Sequence, residues 1–468
     1  MLAGQRKNGA ASIKINFGRL VAYSTLQLPL AMAALPVVLN VSHFYGGVLK
    51  LSLEIMGPIF IIARVVDAVQ DPVIGLLSDR FTHRGPRGRL LFVALMIPVL
   101  AGGFFMLFDP PGDWIGDQTL MSVWLMAALL LVHFGYSGVS ISYHSHGAEL
   151  TDDYNERTKV TVGREAFGLL GFAVAVVLPT VLTDRHLFGQ TAGYKMLGLL
   201  FLPIAAILCM PTLLWAGPSV HPPVVHGERN AFIAFFAPLK NLLFRRLLLV
   251  FVVNGAAIGV AVTVMLFYVE HVLKGSHKHA GLILLTYFIS GAASVPMWLV
   301  LSRKLGKAAA WFVGIVLTAI SMSSALLIGP GDFQWFLMIS VVTGIGLGAD
   351  YGLPPSILAD VINARESGDT KGKTGTYFGL WALATKVATA LGAALSLPVV
   401  AMLGFNPEKG EYGTMALIVV YIALPVLIKI AAALLIWFVR IEAERGAVRE
   451  ELIRETRKPP ASVKTGAP

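Results

Sequence analysis

The sequence predicts an all-α polytopic membrane protein with twelve transmembrane helices. Of its 468 residues, 56% are hydrophobic and only 14% are charged, and the mean hydropathy is +0.72. A soluble chain carries about 25% charged residues. Apolar runs of about 20 residues, the length that crosses ~30 Å of hydrocarbon, recur along the chain. These runs are too long and too uniformly apolar for barrel strands, so helices are predicted for every span.

Short polar gaps separate the spans, and several gaps contain residues that end helices. Asp-Pro-Pro-Gly at 109–112 follows the third span, and Gly-Pro-Gly at 329–331 follows the ninth. The polar and basic first 18 residues have no small-residue cleavage site after a short apolar region, so no removable signal peptide is predicted. The predicted spans are approximately 18–42, 52–79, 89–108, 119–148, 164–184, 193–216, 244–270, 280–302, 308–328, 334–361, 374–404 and 412–440.

The distribution of positive charge predicts the orientation of the chain. Most of the 37 Lys and Arg residues lie before the first span, in alternate loops after it, and in the tail. Lys and Arg are retained on the cytoplasmic side of a membrane. Both termini are therefore predicted to be cytoplasmic, in an inner or plasma membrane. The net charge of +10 is then explained by topology and by contact with an anionic leaflet, and no nucleic-acid partner is predicted.

The spans divide into two groups of six. The long hydrophilic loop 217–243 lies near the middle of the chain, and Gly-Ala-Glu at 147–149 resembles Leu-Ala-Asp at 358–360 in the other half. A repeated six-span unit is typical of secondary transporters, whose substrate site lies between the halves near mid-membrane. The predicted organisation is an N-terminal bundle, a central loop, a C-terminal bundle and a cytoplasmic tail, at 1–216, 217–243, 244–440 and 441–468.

Several other functional classes lack their characteristic residues. Cys209 is the single cysteine, which excludes a disulfide framework and a cysteine-based metal centre. The sequence contains no phosphate-binding loop, no His-Glu-x-x-His and no Gly-x-Ser-x-Gly elbow. We therefore predict neither a nucleotide-driven pump nor an enzyme. We predict no cofactor and no bound metal cofactor, and a gradient of H⁺ or Na⁺ as the energy source.

The second span carries the densest group of charges inside the membrane. Arg64, Asp67 and Asp71 are spaced i, i+3 and i+7, which places them on one helix face. Two carboxylates one turn apart in a low dielectric require a bound cation, a proton on one of them, or neutralisation by Arg64. Two interpretations remain open, a site for a coupling cation and an Arg-Asp pair that only locks helices together.

Other polar and aromatic residues of the spans are candidate substrate ligands. Span 4 contains Ser140, Tyr143 and His144, and His144 lies one turn after Ser140. An imidazole there could relay a proton or hydrogen-bond an anionic substrate. Tyr377 and Trp381 in span 11 are candidate stacking surfaces for a sugar, although aromatic packing is the commoner explanation for such residues.

Three segments carry a resemblance to a known family. The motif R-x-x-D-A-x-x-D-P-x-x-G-x-x-S-D-R at 64–80 runs into R-G-x-R-x-R at 84–89. The segment G-A-E-L-T-D-D-Y-N-E-R-T at 147–158 follows span 4, and Y-F-G at 377–379 precedes Lys386 in span 11. These motifs resemble the glycoside-pentoside-hexuronide:cation symporters of the major facilitator superfamily. The similarity extends over both halves of the chain.

The resemblance implies roles for individual residues. It makes Asp67 and Asp71 the cation ligands, with Lys386 near them and Arg164 in the sugar pocket. It also implies a major facilitator fold of two pseudo-symmetric bundles, alternating access and, by analogy with the superfamily, a monomer. Lys386 and Arg64 would tune the charge of the two aspartates. The predicted cytoplasmic gating residues are Asp79, Arg80, Arg84, Glu149 and Asp360.

The sequence departs from sodium-coupled melibiose carriers at two positions. Those carriers use further aspartates in helix 1 and helix 4, whereas span 1 here has no acidic residue and Ser140 stands near the helix 4 position. The loss of a carboxylate favours a proton over sodium. We predict a cation-coupled secondary transporter of a small solute, such as a sugar, glycoside or uronate. The alternatives are a symporter of an amphipathic or lysolipid-like substrate and a non-transporting membrane sensor or assembly factor.

Overall fold

The structure, a computed structural model, consists of long helices, as predicted. It describes residues 15–151, 153–183, 189–219, 235–363, 373–404 and 414–439, and no strand occurs in these ranges. The predicted tail 441–468 and much of the central loop lie outside them. The twelve long helices are α1 (Phe17–Leu39), α2 (Leu53–Phe81), α3 (Gly88–Phe108), α4 (Gln118–Ala148), α5 (Tyr154–Leu182), α6 (Gln190–Trp215), α7 (Leu242–Val272), α8 (His277–Leu305), α9 (Lys307–Ser324), α10 (Phe333–Asn363), α11 (Thr374–Met402) and α12 (Thr414–Phe438).

Eleven helices of the described part are long and apolar enough to cross a membrane. The twelfth, α2, has 29 residues and contains the charges of Arg64, Asp67 and Asp71, which lower its hydropathy. Every predicted span corresponds to one helix. The predicted start of span 5 at residue 164 is wrong, because α5 begins ten residues earlier. There the Asp153 side chain caps the helix by accepting hydrogen bonds from the backbone N–H groups of Asn155 and Glu156 at 2.8 and 2.9 Å.

The six helices before the central loop and the six after it meet along two seams. In one seam α2 packs against α11, and in the other α5 packs against α8 and α10. Glycines permit the closest approach in the first seam. A Cβ atom added to Gly75 would lie 2.6 Å from the carbonyl oxygen of Gly375. The backbones of α2 and α11 therefore touch at this point, with no room for a side chain between them.

Contacts between helix termini define one end of the bundle. The last turn of α2 contacts the first turns of α3 and α11, and Arg157 at the start of α5 contacts Asp360 near the end of α10. We call this the basic end, because the loops there are those that the sequence predicts to be basic and cytoplasmic. Asp67 precedes Asp79 by twelve residues, or about 18 Å along a helix. Asp67 therefore lies near the middle of a ~30 Å hydrocarbon layer.

Candidate functional site

A lysine from the second half is held by two aspartates from the first half. Lys386 Nζ on α11 lies 2.6 Å from Asp67 Oδ1 and 2.9 and 2.7 Å from Asp71 Oδ1 and Oδ2 on α2. It also donates to the Asp67 carbonyl oxygen at 3.1 Å and to Ser137 Oγ on α4 at 3.3 Å. We call Asp67, Asp71, Ser137 and Lys386 the interface cluster. Its ammonium group lies among five oxygen atoms.

The interface cluster has more negative than positive charge. The side chains of Asp67 and Asp71 are 2% and 0% exposed, and among the described residues Lys386 is the only cation in close contact with both. The predicted charge-tuning residue Arg64 stays at the edge, since its side chain is 54% exposed and its Nη1 lies 3.9 Å from Asp67 Oδ2. Gln70 Nε2 donates a hydrogen bond to Asp67 Oδ1 at 3.1 Å. One carboxylate therefore lacks a closely held counter-charge of its own.

Another set of polar side chains lies between α1, α4 and α5. Arg164 Nε and Nη2 donate to Glu165 Oε1 at 3.0 and 2.5 Å, and both side chains are nearly fully buried. The Arg164 guanidinium lies 6.0 Å from the centroid of the Tyr143 ring. His144 Nε2 is 3.1 Å from Gln27 Oε1. We call Gln27, His144, Arg164 and Glu165 the polar group.

Three of the predicted substrate residues meet in this region, and the other three do not. Tyr143 is fixed by reciprocal hydrogen bonds, because its hydroxyl donates to the Tyr23 carbonyl at 2.6 Å while the Tyr23 hydroxyl donates to the Tyr143 carbonyl at 3.0 Å. Ser140 lies between the polar group and the interface cluster, and its Oγ is 3.5 Å from the Ser137 carbonyl oxygen. Tyr377 packs edge-on against Phe244, and Trp381 stacks on Phe251 at 3.8 Å. Both rings pack against aromatic residues of α7 in the second half.

The predicted gating residue Asp79 joins the two halves at the basic end. Its carboxylate accepts hydrogen bonds from the backbone N–H groups of Gly375 and Thr376 at 2.7 and 2.9 Å and from the Thr376 hydroxyl at 2.8 Å. These N–H groups belong to the first turn of α11, where the helix dipole favours a negative charge. Arg89 Nη2 donates to Asp79 Oδ1 and to Glu149 Oε1, both at 2.8 Å.

Arg89 therefore takes the position predicted for Arg80 and Arg84. Within the described residues, neither Arg80 nor Arg84 forms an ion pair with Asp79. Arg80 is exposed, and the Arg84 guanidinium lies 4.8 Å from the centroid of the Phe81 ring. Arg89 is nearly fully buried at the start of α3.

A second contact between the halves at the basic end involves Asp360. Arg157 Nη1 at the start of α5 lies 3.0 Å from Asp360 Oδ1 on α10 and 3.3 Å from the Ala359 carbonyl oxygen. Lys307 at the start of α9 also pairs with Asp360. Asp360 is thus shared by one cation from each half.

A third buried charge pair lies within the second half, at a similar depth. Lys429 Nζ on α12 is 2.9 Å from Asp350 Oδ2 on α10 and 3.0 Å from Asn254 Oδ1 on α7. Asp350 Oδ1 accepts from Asn254 Nδ2 at 3.0 Å and from Trp311 Nε1 at 2.9 Å. We call Asn254, Trp311, Asp350 and Lys429 the bundle cluster.

Sequence reasoning missed several of these residues. Asp350 and Glu165 are acidic residues inside predicted spans, and that property alone could have marked them. Asp350 would also have supplied a partner for Lys429. Gln27 and Ser137 are neutral residues in spans with many similar neighbours, and only the packing of α1, α2 and α4 distinguishes them.

Comparisons with known proteins concern the family and the fold. The family model described as MFS/sugar transport protein matches residues 21–443. An uncharacterized symporter of Synechocystis is 21% identical, with 82% of this chain and 85% of the relative covered. A putative sulfoquinovose importer of Escherichia coli is 23% identical, with 86% and 85% covered. A sodium-dependent lysophosphatidylcholine symporter of Danio rerio is 21% identical, with 74% and 71% covered.

A solved structure confirms the predicted fold class. The fucose:proton symporter of Escherichia coli superposes with a TM-score of 0.62 at 13% identity, covering 90% of this chain and 98% of the symporter. The fold is therefore the major facilitator fold, and the protein is a multi-pass integral membrane protein. Because the family model spans most of its length, the chain belongs to the MFS/sugar transport protein family.

Proposed function

We propose that this secondary transporter couples solute movement to a monovalent cation, H⁺ or Na⁺, bound by Asp67 and Asp71. The observation that carries the proposal is the position of Lys386 Nζ among five oxygen atoms of the first half. An ammonium group and a monovalent cation compete for the same carboxylates. Lys386 can thus substitute for the coupling cation.

This competition gives a route to coupling. While Lys386 balances one of the two negative charges of Asp67 and Asp71, it also ties α11 to α2, so the two halves cannot separate at mid-membrane. Arrival of a cation or proton removes the net negative charge and weakens the attraction for Lys386. The released lysine then allows the halves to rearrange between their two packed states.

Movement also requires the contacts at the basic end to break. Asp79 bonds to the first turn of α11, and Arg157 bonds to Asp360, across the boundary between the halves. These bonds hold the basic end closed in this structure. We propose that both termini are cytoplasmic, in the inner membrane, and that the basic end is the cytoplasmic gate of a monomer. Glu149 holds Arg89 in place there through paired hydrogen bonds.

The polar group favours a hydroxyl-rich substrate such as a sugar, glycoside or uronate. The carboxylate of Glu165 can accept hydrogen bonds from sugar hydroxyls, and Gln27, His144 and Arg164 supply further donors and acceptors. Arg164 can also bind a uronate or sulfonate group. The relative described as a putative sulfoquinovose importer is consistent with this substrate class.

A lysolipid-like substrate is the second candidate, and a groove on the surface of α2 favours it. The groove has a volume of about 300 Å³ and an apolar lining, and it reaches Gln70, which contacts Asp67. An acyl chain could lie there beside the interface cluster. The lining residues are Val65, Val66, Val69, Gln70, Val73, Ile74 and Phe134.

A thermal-shift panel tests the proposal and separates the two substrate classes. Purified protein is heated with and without Na⁺ at two pH values, and then with sugars, uronates, sulfoquinovose and lysophosphatidylcholine. A ligand that binds the folded state raises Tm by mass action. We expect Na⁺ or acid to stabilise the wild type but not Asp71→Asn, and one ligand class to add to the shift.

The opposite outcome identifies a different function. If neither ion nor solute changes the Tm of either protein, Asp67 and Asp71 are structural. The chain would then be better described as a membrane sensor or assembly factor that retains the transporter fold. The Gly102→Ala variant is a suitable control, because a Cβ atom added at Gly102 meets no atom within 4 Å.

A further inference from the structure

A stripe of polar residues runs along one face of α4. Its members are spaced i, i+4, i+7 and i+11, which places them on one face. Ser137 belongs to the interface cluster, and His144 belongs to the polar group. The stripe therefore extends past the cation site on both sides. Its members are His133, Ser137, Ser140 and His144.

His133 is the stripe residue on the side of the cation site away from the basic end. It precedes Ser137 by one helical turn, or about 6 Å. Its Nδ1 is buried and has no hydrogen-bond partner among the residues that the structure describes. An unsatisfied buried nitrogen costs free energy, so its retention at this position calls for an explanation.

The charged surroundings of His133 are those of the interface cluster. The groups whose charges act on its ring are Arg64 and Asp67 on α2 and Lys386 on α11. The neighbouring helix α3 faces α4 with Met96 and Leu100, which carry no charge. The contacts of α1 and α5 with α4 lie further toward the basic end, at Tyr143 and His144.

We infer that His133 is a proton relay between the face opposite the basic end and the Asp67 and Asp71 pair. This inference rests on the proposed function and commits it to a proton as the coupling ion. An imidazole ring can accept a proton on one nitrogen and release it again, which suits it to this task. The unpartnered Nδ1 is free to bind the water molecule that connects the ring to a carboxylate.

The relay conserves atoms and charge at each step. A hydronium ion on the outer side protonates the neutral imidazole and leaves water. The imidazolium then gives one proton, through bound water, to a carboxylate oxygen of Asp67 or Asp71. The products are neutral His133 and one neutral carboxylic acid, and the pair then has one negative charge, which Lys386 or Arg64 can balance.

A substrate-free measurement of proton loading tests the inference. Purified protein is shifted rapidly from alkaline to acidic pH, and the carboxylic-acid C=O band is followed by time-resolved infrared spectroscopy. We expect the band in wild type and its loss or reduction in Asp71→Asn. In His133→Gln the final amplitude should be unchanged, while the rate should fall by about a hundredfold, within the range that a positioned proton-transfer group contributes.

Two further experiments distinguish a proton-relay role of His133 from a packing role. Imidazole added to the buffer should restore the rate in His133→Gln, because a small base can replace a lost relay, whereas it cannot repair packing. The control His271→Gln removes a histidine of α7 whose Nδ1 is 3.1 Å from the Phe267 carbonyl oxygen. It should load protons at the wild-type rate.

The possible outcomes distinguish a failure of the proton relay from a failure of the proposed cation-coupled transport. A wild-type loading rate in His133→Gln overturns the relay but leaves Asp67 and Asp71 as the cation site. A slow rate that imidazole does not restore also overturns it. If acid produces no carboxylic-acid band in wild type while Na⁺ raises its Tm, the coupling ion is sodium, and the relay is wrong although the proposed transporter stands. If neither ion has an effect, both fail.

Discussion

The interface cluster and the bundle cluster differ in how a buried lysine is paired with carboxylates. Each buries a lysine against a carboxylate near the middle of the membrane. In the bundle cluster one lysine meets one carboxylate, since Lys429 donates to Asp350 Oδ2 while Asn254 and Trp311 donate to Asp350 Oδ1. In the interface cluster one lysine serves two carboxylates.

The two clusters also differ in their location and in the exposure of the lysine. The bundle cluster joins α7, α9, α10 and α12, all within the second half, and the Lys429 side chain is only 4% exposed. The interface cluster joins α2 and α4 of the first half to α11 of the second, and Lys386 is 16% exposed. A buried pair with balanced charge suits a rigid bundle. A cluster with excess negative charge at the boundary between the two halves can exchange its cation.

The largest expected effect separates the clusters by stability. Lys429→Met leaves Asp350 as an uncompensated buried charge, which typically costs about 3–5 kcal/mol. We expect a large fall in Tm and in the yield of folded protein, and no recovery with Na⁺. Size-exclusion chromatography and thermal unfolding in detergent measure both. A Lys429→Met protein that Na⁺ restores would make the bundle cluster an ion site as well, and the comparison would fail.

The matching change in the interface cluster should be repaired by ions. Lys386→Met leaves two facing carboxylates that can be neutralised by a proton or by Na⁺. We expect a Tm that is high in acid and falls as pH rises, because the folded state then loses its bound proton. At neutral pH, saturating cation should restore up to about 2.7 kcal/mol at a hundred times its Kd. A Tm independent of both pH and Na⁺ would contradict the account.

A third prediction concerns the boundary on which the interface cluster lies. Gly75→Ala inserts a methyl group that would lie 2.6 Å from the Gly375 carbonyl oxygen. Overpacking of this kind costs about 1–3 kcal/mol, and here the cost falls on the closed basic end alone. We expect a shift toward the state in which that end is open.

Cysteine labelling measures that shift. In a Cys209→Ser background, Ala359→Cys places a thiol at a residue that is 1% exposed at the closed end. Gly75→Ala should increase its labelling rate several-fold, and Gly102→Ala should not. Equal rates in the two variants would show that the approach of α2 to α11 does not govern closure.

The smallest expected effect belongs to Arg64. Its side chain is about half exposed, and its Nη1 is 3.9 Å from Asp67, so the ion pair contributes at most about 1 kcal/mol. Arg64→Gln should leave Tm nearly unchanged and should change the apparent cation affinity by less than about fivefold. A complete loss of cation response in this variant would place Arg64 inside the cation site.

The sequence predicts the fold well because hydropathy and charge act locally. The lengths of the apolar runs and the positions of Lys and Arg are properties of single segments, and they predict twelve helices and an orientation. The pairing of Asp67, Asp71 and Lys386 comes instead from motif resemblance. Packing decides the rest. Helix rotation decides that Arg89 rather than Arg80 pairs with Asp79, and that Asp350 pairs with Lys429. The sequence of a mostly apolar helix contains little information about that rotation.

The most direct test of the central claim is gradient-driven uptake by proteoliposomes. The solute is the one that the thermal-shift panel identifies, and Asp71→Asn is compared with wild type under an imposed gradient of H⁺ or Na⁺. We expect wild type to accumulate solute against its gradient. The mutant should be folded and exchange solute at equal concentrations, but should not accumulate it. Wild-type accumulation by Asp71→Asn would contradict the claim that this aspartate binds the coupling cation.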